Sequence, residues 1–181
     1  MKRIAVLALT AVMILPVAAM AGGRFSLGPR VGYYKAQDAD EGKLFAGAAA
    51  RLHLTSALGV EGSVDFRKEE YMRGRMTVTS WPVMVTGLVY PLPILYGLIG
   101  AGWYNSKVEY TPLAGLLAGE PENEQQFGWH FGLGLEIPLG SLCLAGDVRY
   151  VFLDYDFSAV PGSEEVKADF YAATLGLLIR L

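Results

Sequence analysis

The chain has 181 residues, of which 52% are hydrophobic and only 18% charged. That is room for one domain and too apolar for a disordered tail, so the chain folds as a single unit or sits in a membrane. Fifteen Lys and Arg against 18 Asp and Glu leave no basic field for phosphates, so nucleic acid is excluded as a partner. One cysteine, Cys143, closes no internal disulfide and excludes a zinc site of paired cysteines, and no cofactor is expected.

Lys2 and Arg3 precede an uncharged stretch, residues 4–17, followed by Ala19-Met20-Ala21, the small-x-small pattern that signal peptidase cuts. The expected division is a secretory signal over residues 1–21, cleaved between Ala21 and Gly22, and one mature domain over residues 22–181. A first transmembrane helix is disfavoured, because this stretch falls short of the ~20 residues that span hydrocarbon and Pro16 lies near its end. No cysteine follows the cleavage site, so no lipid anchor forms on a new N-terminal Cys.

Period-2 alternation dominates the mature chain. In chain order, strands are predicted over residues 25–34, 44–53 and 58–67, then 77–90 and 94–107, and finally 127–137, 142–152 and 171–181. The fourth and fifth come from residues 76–106, which hold no charge and would mark a helical hairpin on a hydropathy plot. Pro91 and Pro93 split that stretch into halves too short for membrane helices, and Pro82, Gly87, Gly97, Gly100 and Gly102 disfavour helix. Both faces of these two strands are apolar, so their phase is open.

The other six strands sort into two faces. One carries residues such as Leu27, Val31, Val60, Phe66, Trp129, Leu133, Val148 and Leu175 and no charge; the other carries nine charges and eight glycines. A soluble barrel would turn the apolar face inward and a membrane barrel outward. Glycines beside Arg, Glu and Asp make room in a crowded lumen, whereas on a watery surface they would only weaken the strands. The polar face is therefore the lumen, and its predicted polar network is Arg30, Arg51, Glu61, Asp65, Arg67, Glu136, Asp147, Arg149 and Arg180. Five positive against four negative charges read as a plug of ion pairs rather than the one-sided ring of a selective pore.

Connections after even-numbered strands are short and uncharged, at residues 55–57, 91–93 and 138–141. The others are longer, reaching residues 109–126 and 153–168, and hold most of the acidic residues. Short periplasmic turns alternate with long extracellular loops in outer-membrane barrels, which puts both mature termini on the periplasmic side. The expected fold is an all-β, eight-stranded antiparallel up-and-down transmembrane β-barrel, a monomer in the bacterial outer membrane against lipid and lipopolysaccharide.

With those faces and loops the mature chain resembles the OmpA and OmpX type of eight-stranded outer-membrane barrel, over nearly its whole length. Thr174-x-Gly176-x-x-Ile179-x-Leu181 is similar to the C-terminal signal by which the barrel assembly machinery recognises its clients, with Leu181 departing from the family's usual Phe. The glycine-rich runs 96–102 and 128–136 look like strands common in such barrels. The resemblance implies envelope integrity, adhesion or binding of an extracellular ligand or host factor, without catalysis. No peptidoglycan-binding domain is expected, because the chain ends at the last strand.

Other chemistry is weighed on its residues. Outer-membrane lipid hydrolases carry His-x-Ser facing lipid, whereas here the spacings read His53-Leu54-Thr55 and His130-Phe131-Gly132. Both histidines fall on the lumen face, so a lipid-modifying enzyme is the lesser alternative, beside a small channel or a soluble periplasmic barrel. Asp38-Ala39-Asp40-Glu41-Gly42 fails as an EF-hand, since its glycine is one place early and its twelfth position is Ala49. Glu120, Glu122 and Glu124 with Glu164 and Glu165 offer a weak divalent-cation site, and Arg67, Lys68, Arg73 and Arg75 a mixed patch toward lipopolysaccharide phosphate. Tyr33, Tyr90, Trp103, Trp129, Tyr150, Phe152 and Tyr171 suit interfacial girdles, and Cys143 fills space in the lumen.

Overall fold

A sheet that is apolar on one face and charged on the other must hide its charged face and leave no open edge if it is to sit in lipid, where an unpaired backbone group is costly. The computed structural model describes residues 25–36, 41–71, 76–110, 122–153 and 169–181. The signal segment, residues 38–40, Arg73, Arg75, Glu120, Glu164 and Glu165 lie outside the described residues.

The strands are β1 (Phe25–Ala36), β2 (Lys43–His53), β3 (Leu58–Tyr71), β4 (Met76–Ser80), β5 (Val83–Val89), β6 (Leu95–Tyr110), β7 (Glu122–Leu139), β8 (Leu142–Leu153) and β9 (Phe170–Arg180). Each pairs antiparallel with its neighbours in the wall, and β1 also pairs with β9, so the sheet closes. β4 and β5 are two parts of one wall strand, which makes an eight-stranded antiparallel barrel. They are separated at Pro82, which has no N–H to return to Asp65, although Asp65 N–H donates to the Pro82 carbonyl at 3.1 Å. Arg67 faces Ser80 and Val64 faces Val83 in one unbroken register, so the proline removes ladder bonds without a slip.

The registers give the barrel its dimensions. Stepping across paired residues from Ser26 leads through Arg51, Glu61, Thr86, Gly100, His130, Val151 and Phe170 back to β1 at Ala36, a stagger of ten residues. Eight strands with that stagger tilt by about 40°, and the wall stands about 8 Å from the axis. Side chains from opposite walls meet at such a distance, so the interior is filled.

Strand phase follows the alternation. Leu27, Val31, Leu44, Val60, Phe66, Trp129, Leu133, Val148 and Leu175 are exposed on the outside, while Arg30, Arg51, Glu61, Asp65, Arg67, Glu136, Asp147 and Arg149 are buried inside. Phe25 is the exception, buried at the first residue of β1. The open phase of the uncharged stretch resolves with Met84, Thr86, Leu88, Tyr90, Tyr96, Leu98 and Tyr104 inward and Val85, Val89, Ile99 and Trp103 outward.

Several boundaries differ from the sequence reading; β3, expected to end at residue 67, runs on to Tyr71. The connection expected over residues 109–126 narrows to 111–121, because β6 and β7 continue as a paired polar hairpin: Ser106 faces Glu124 and Val108 faces Glu122. Beyond the apolar band both faces of a strand meet water, so the alternation that marks a half-buried strand disappears while the backbone pairing continues. The turn expected over residues 138–141 tightens to Gly140 and Ser141, with Leu139 facing Leu142. Gly140 has φ +70°, the positive value that the first position of a two-residue hairpin turn requires.

Lumen glycines do more than make room for charge. An added Cβ at Gly132 would strike the Val148 carbonyl oxygen of the neighbouring strand, whereas at the outward Gly62 it would meet nothing within 4 Å. Gly132→Val should therefore lower the SDS heat-unfolding midpoint, with a cost of about 1–3 kcal/mol from overpacking, while Gly62→Val leaves it within error. Equal midpoints would refute the close approach.

Candidate functional site: the lumen and the lipid-facing surface

Glu61, the fourth residue of β3, is the hub of the lumen. It accepts from Arg51, its direct cross-strand partner on β2, from Arg30 Nη1 on β1 at 3.3 Å and from Arg149 Nη2 on β8 at 3.3 Å. Arg30 also holds Asp65 through two bonds, Nε to Oδ1 at 2.7 Å and Nη2 to Oδ2. Arg149 grips Asp147 in the same fork, at 2.6 and 2.8 Å. The planar guanidinium suits this role, since its rigid fork binds one carboxylate with two donors and reaches another with a third.

Nearer the turn end, Arg51 Nη1 donates to Glu136 Oε2 at 2.6 Å, crossing from β2 to β7. Tyr90 OH donates to the same oxygen at 2.6 Å, His53 Nε2 lies 3.2 Å from Glu136 Oε1, and Arg180 Nη2 approaches at 3.8 Å. Tyr96 OH donates to Asp147 at 3.1 Å, and its ring lies under the Arg51 guanidinium. Charges withdrawn from water this far are costly unless paired and hydrogen-bonded, and these are both.

The end nearer the long connections is filled differently. Phe45, Met84, Tyr104, Val151, Phe170 and Ala172 pack into an apolar cluster inside the wall. Arg67 belongs here and not to the carboxylate lattice: its guanidinium stacks 4.2 Å from the Tyr34 ring centre and 5.0 Å from that of Phe170. It is buried in the lumen, which corrects the reading of Arg67 as part of a loop patch, while Lys68, next in β3, is exposed.

The histidines are each engaged. His130 Nε2 and Thr86 Oγ1 are 2.8 Å apart inside the wall. Thr55 Oγ1 accepts from Ala57 and Leu58 N–H and so braces the turn after His53. Among the described residues no cluster of His, Cys, Asp and Glu has the arrangement of a metal site. Glu122 and Glu124 lie on β7, whose pairing partners there are Val108 and Ser106.

Outside, apolar side chains run from Phe127 to Leu139 on β7 and from Tyr171 to Leu181 on β9. Each residue climbs about 2.5 Å along the axis at this tilt, so the band is about 25–30 Å tall, the hydrocarbon thickness of a membrane. Tyr33, Phe66, Trp81, Trp103, Phe127, Trp129, Phe152 and Tyr171 ring its edge at the long-connection end, while Leu54, Leu58, Leu92, Ile94, Leu139 and Leu181 line the turn end. Tyr90 leaves the expected girdle: it is 7% exposed and bonded to Glu136, because its parity along the strand turns it inward.

Residues 4–178 match the model of the outer membrane protein beta-barrel domain. The chain belongs to that family. Among solved structures this outer-membrane barrel is similar to a major outer membrane protein from Thermus thermophilus, at 15% identity and TM-score 0.61, covering 87% of this chain and 99% of that one. It is also similar to Neisserial surface protein A, at 10% identity and TM-score 0.59, covering 87% and 97%. These identities show a shared fold alone. No curated protein matches. Family membership implies a location in the bacterial outer membrane, where the apolar band meets lipid.

Thr86, Tyr90, Tyr96 and Tyr104 are hydroxyl-bearing lumen residues that charge and alternation missed, because they sit in the uncharged stretch. Thr86 and Tyr90 share one parity, and that is the only signal they carried. Glu61→Ala leaves Arg30, Arg51 and Arg149 buried around one fewer carboxylate, and should destabilise the barrel by about 3–5 kcal/mol. Urea or SDS unfolding of the refolded barrel reads this, and a shift below about 1 kcal/mol would show that the lattice contributes little.

Proposed function

We propose that the protein is a non-enzymatic, monomeric outer-membrane barrel that anchors a surface-interaction platform, with envelope integrity as its structural contribution. One observation carries this reading. β3, β4, β6 and β7 run on past the aromatic ring to Tyr71, Met76, Tyr110 and Glu122, whereas the described parts of β1, β2, β8 and β9 reach little beyond it. One side of the wall therefore projects about 10 Å beyond the membrane band. At its base, among the described side chains, polar groups pair with one another: Gln125 Nε2 donates to Asn105 Oδ1 at 2.6 Å and Ser106 Oγ to Ser80 Oγ at 3.3 Å.

In this reading the long connections face outward from the cell, the turns and both mature termini face the periplasm, and residues 1–21 are the secretory signal removed between Ala21 and Gly22. Thr174, Gly176, Ile179 and Leu181 on and after β9 form the segment that the barrel assembly machinery reads. Lipopolysaccharide surrounds the aromatic ring, and an extracellular ligand or host factor meets the projecting wall and its loops. The lumen supports a closed barrel rather than a channel, since its nearly balanced charges pair across the axis. The lipid-modifying alternative is disfavoured by His53 and His130, which are turned to lumen partners and away from lipid.

The test uses cells lacking the gene, complemented with wild type or with a variant whose residues 106–124 are replaced by a short turn. Both barrels should show the SDS heat shift and restore resistance to detergent and EDTA, but only wild type should restore adherence to surfaces coated with extracellular matrix. Equal adherence, fatty acid release from lipopolysaccharide by the purified protein, or a stable ion-selective conductance would contradict the proposal.

A further inference from the structure

On the lipid-facing side of β6 to β9 the barrel surface is not smooth. A groove of about 570 Å³ lies there, walled by Leu133, Leu135, Val148, Ala173 and Leu175 around Gly146. Gly146 points outward on β8 between Leu135 of β7 and Leu175 of β9, so leucines rise on both sides of a position with no side chain. The lining is almost wholly apolar and begins near Leu95 and Ile137 at the turn end. From there to Ala173 the groove climbs about 15 Å, half of the ~30 Å hydrocarbon core and so the depth of one leaflet.

A concavity in this band is solvated by hydrocarbon, and an unfilled one forfeits dispersion contacts along its whole lining. A second copy related by a two-fold axis through the groove would set groove against groove and fill neither. A flexible chain one leaflet long fills it. We infer that this groove is a binding site for an acyl chain of a phospholipid in the turn-side leaflet. The leaflet rests on the orientation proposed above; the groove itself does not.

A Cβ added at Gly146 meets the Thr174 carbonyl oxygen at 3.4 Å and Leu175 Cδ1 at 3.5 Å, which is ordinary contact, so a larger side chain enters the groove without disturbing the wall. Gly62, outward on β3 and open within 4 Å, is the matched control. Barrels extracted in mild detergent from outer membranes would be compared by native mass spectrometry, with the SDS heat shift confirming that each is folded. Wild type and Gly62→Leu should retain one phospholipid per barrel, and Gly146→Leu and Ala173→Leu should each weaken retention about tenfold, equivalent to about 1.4 kcal/mol. A bare wild type, undiminished retention in both groove variants, or a wild-type dimer that Gly146→Leu dissociates would overturn the site. Lipopolysaccharide in place of phospholipid, lost in the same two variants, would overturn the leaflet and the orientation while leaving the groove as an acyl-chain site.

Discussion

Closure of eight strands with a ten-residue stagger is the constraint from which the rest of this structure follows. It sets the wall about 8 Å from the axis, so a charged side chain inside has no water to retreat to and must find its partner on another strand. Glu61 shows the consequence. It meets guanidinium groups from β1, β2 and β8, and Glu136 on β7 takes up the far side of Arg51. The lattice therefore ties together strands that share no ladder. Backbone hydrogen bonds would permit many barrels of this strand number; the lattice favours the one in which Arg51 sits opposite Glu61.

The outside obeys the complementary rule. A soluble domain buries its apolar residues, yet here Leu, Val, Ile, Phe, Trp and Tyr side chains are exposed in large number and the least exposed side chains include four arginines. That inversion makes sense only if hydrocarbon is the solvent. The two rims differ in kind. Aromatic rings gather where the apolar band gives way to Lys35 and Lys68, while the turn rim is aliphatic. Tyr and Trp, apolar in body and polar at the tip, prefer an interface that is partly wet.

Much of this was legible in the residues, for a physical reason. Alternation of Leu133, Leu135 and Ile137 with Gly132, Gly134 and Glu136 has one reading as a strand and one assignment of faces once the glycines are considered. Where both faces are apolar, as around Met84 to Tyr104, alternation carries no information, and Tyr90 and Tyr96 could not be assigned to the lumen. Where both faces are wet, as at Ser106 and Gln125, it vanishes, and the projecting hairpin read as loop. The environment of Arg67 was hidden too, because nothing local predicts that Tyr34, Phe45 and Phe170, from three strands, converge on its guanidinium.

The inside-out assignment of the two faces is the claim on which everything else rests, and the chain's three tryptophans report on it directly. Trp81, Trp103 and Trp129 all face outward, at 36%, 49% and 54% exposure and near one level. In proteoliposomes made with brominated phospholipids their fluorescence should be quenched, most strongly when bromine sits on acyl carbons close to the headgroup, and aqueous iodide should have little effect. Efficient quenching by iodide with none by brominated lipid would place the apolar face in water or in a protein interior, and would contradict the account.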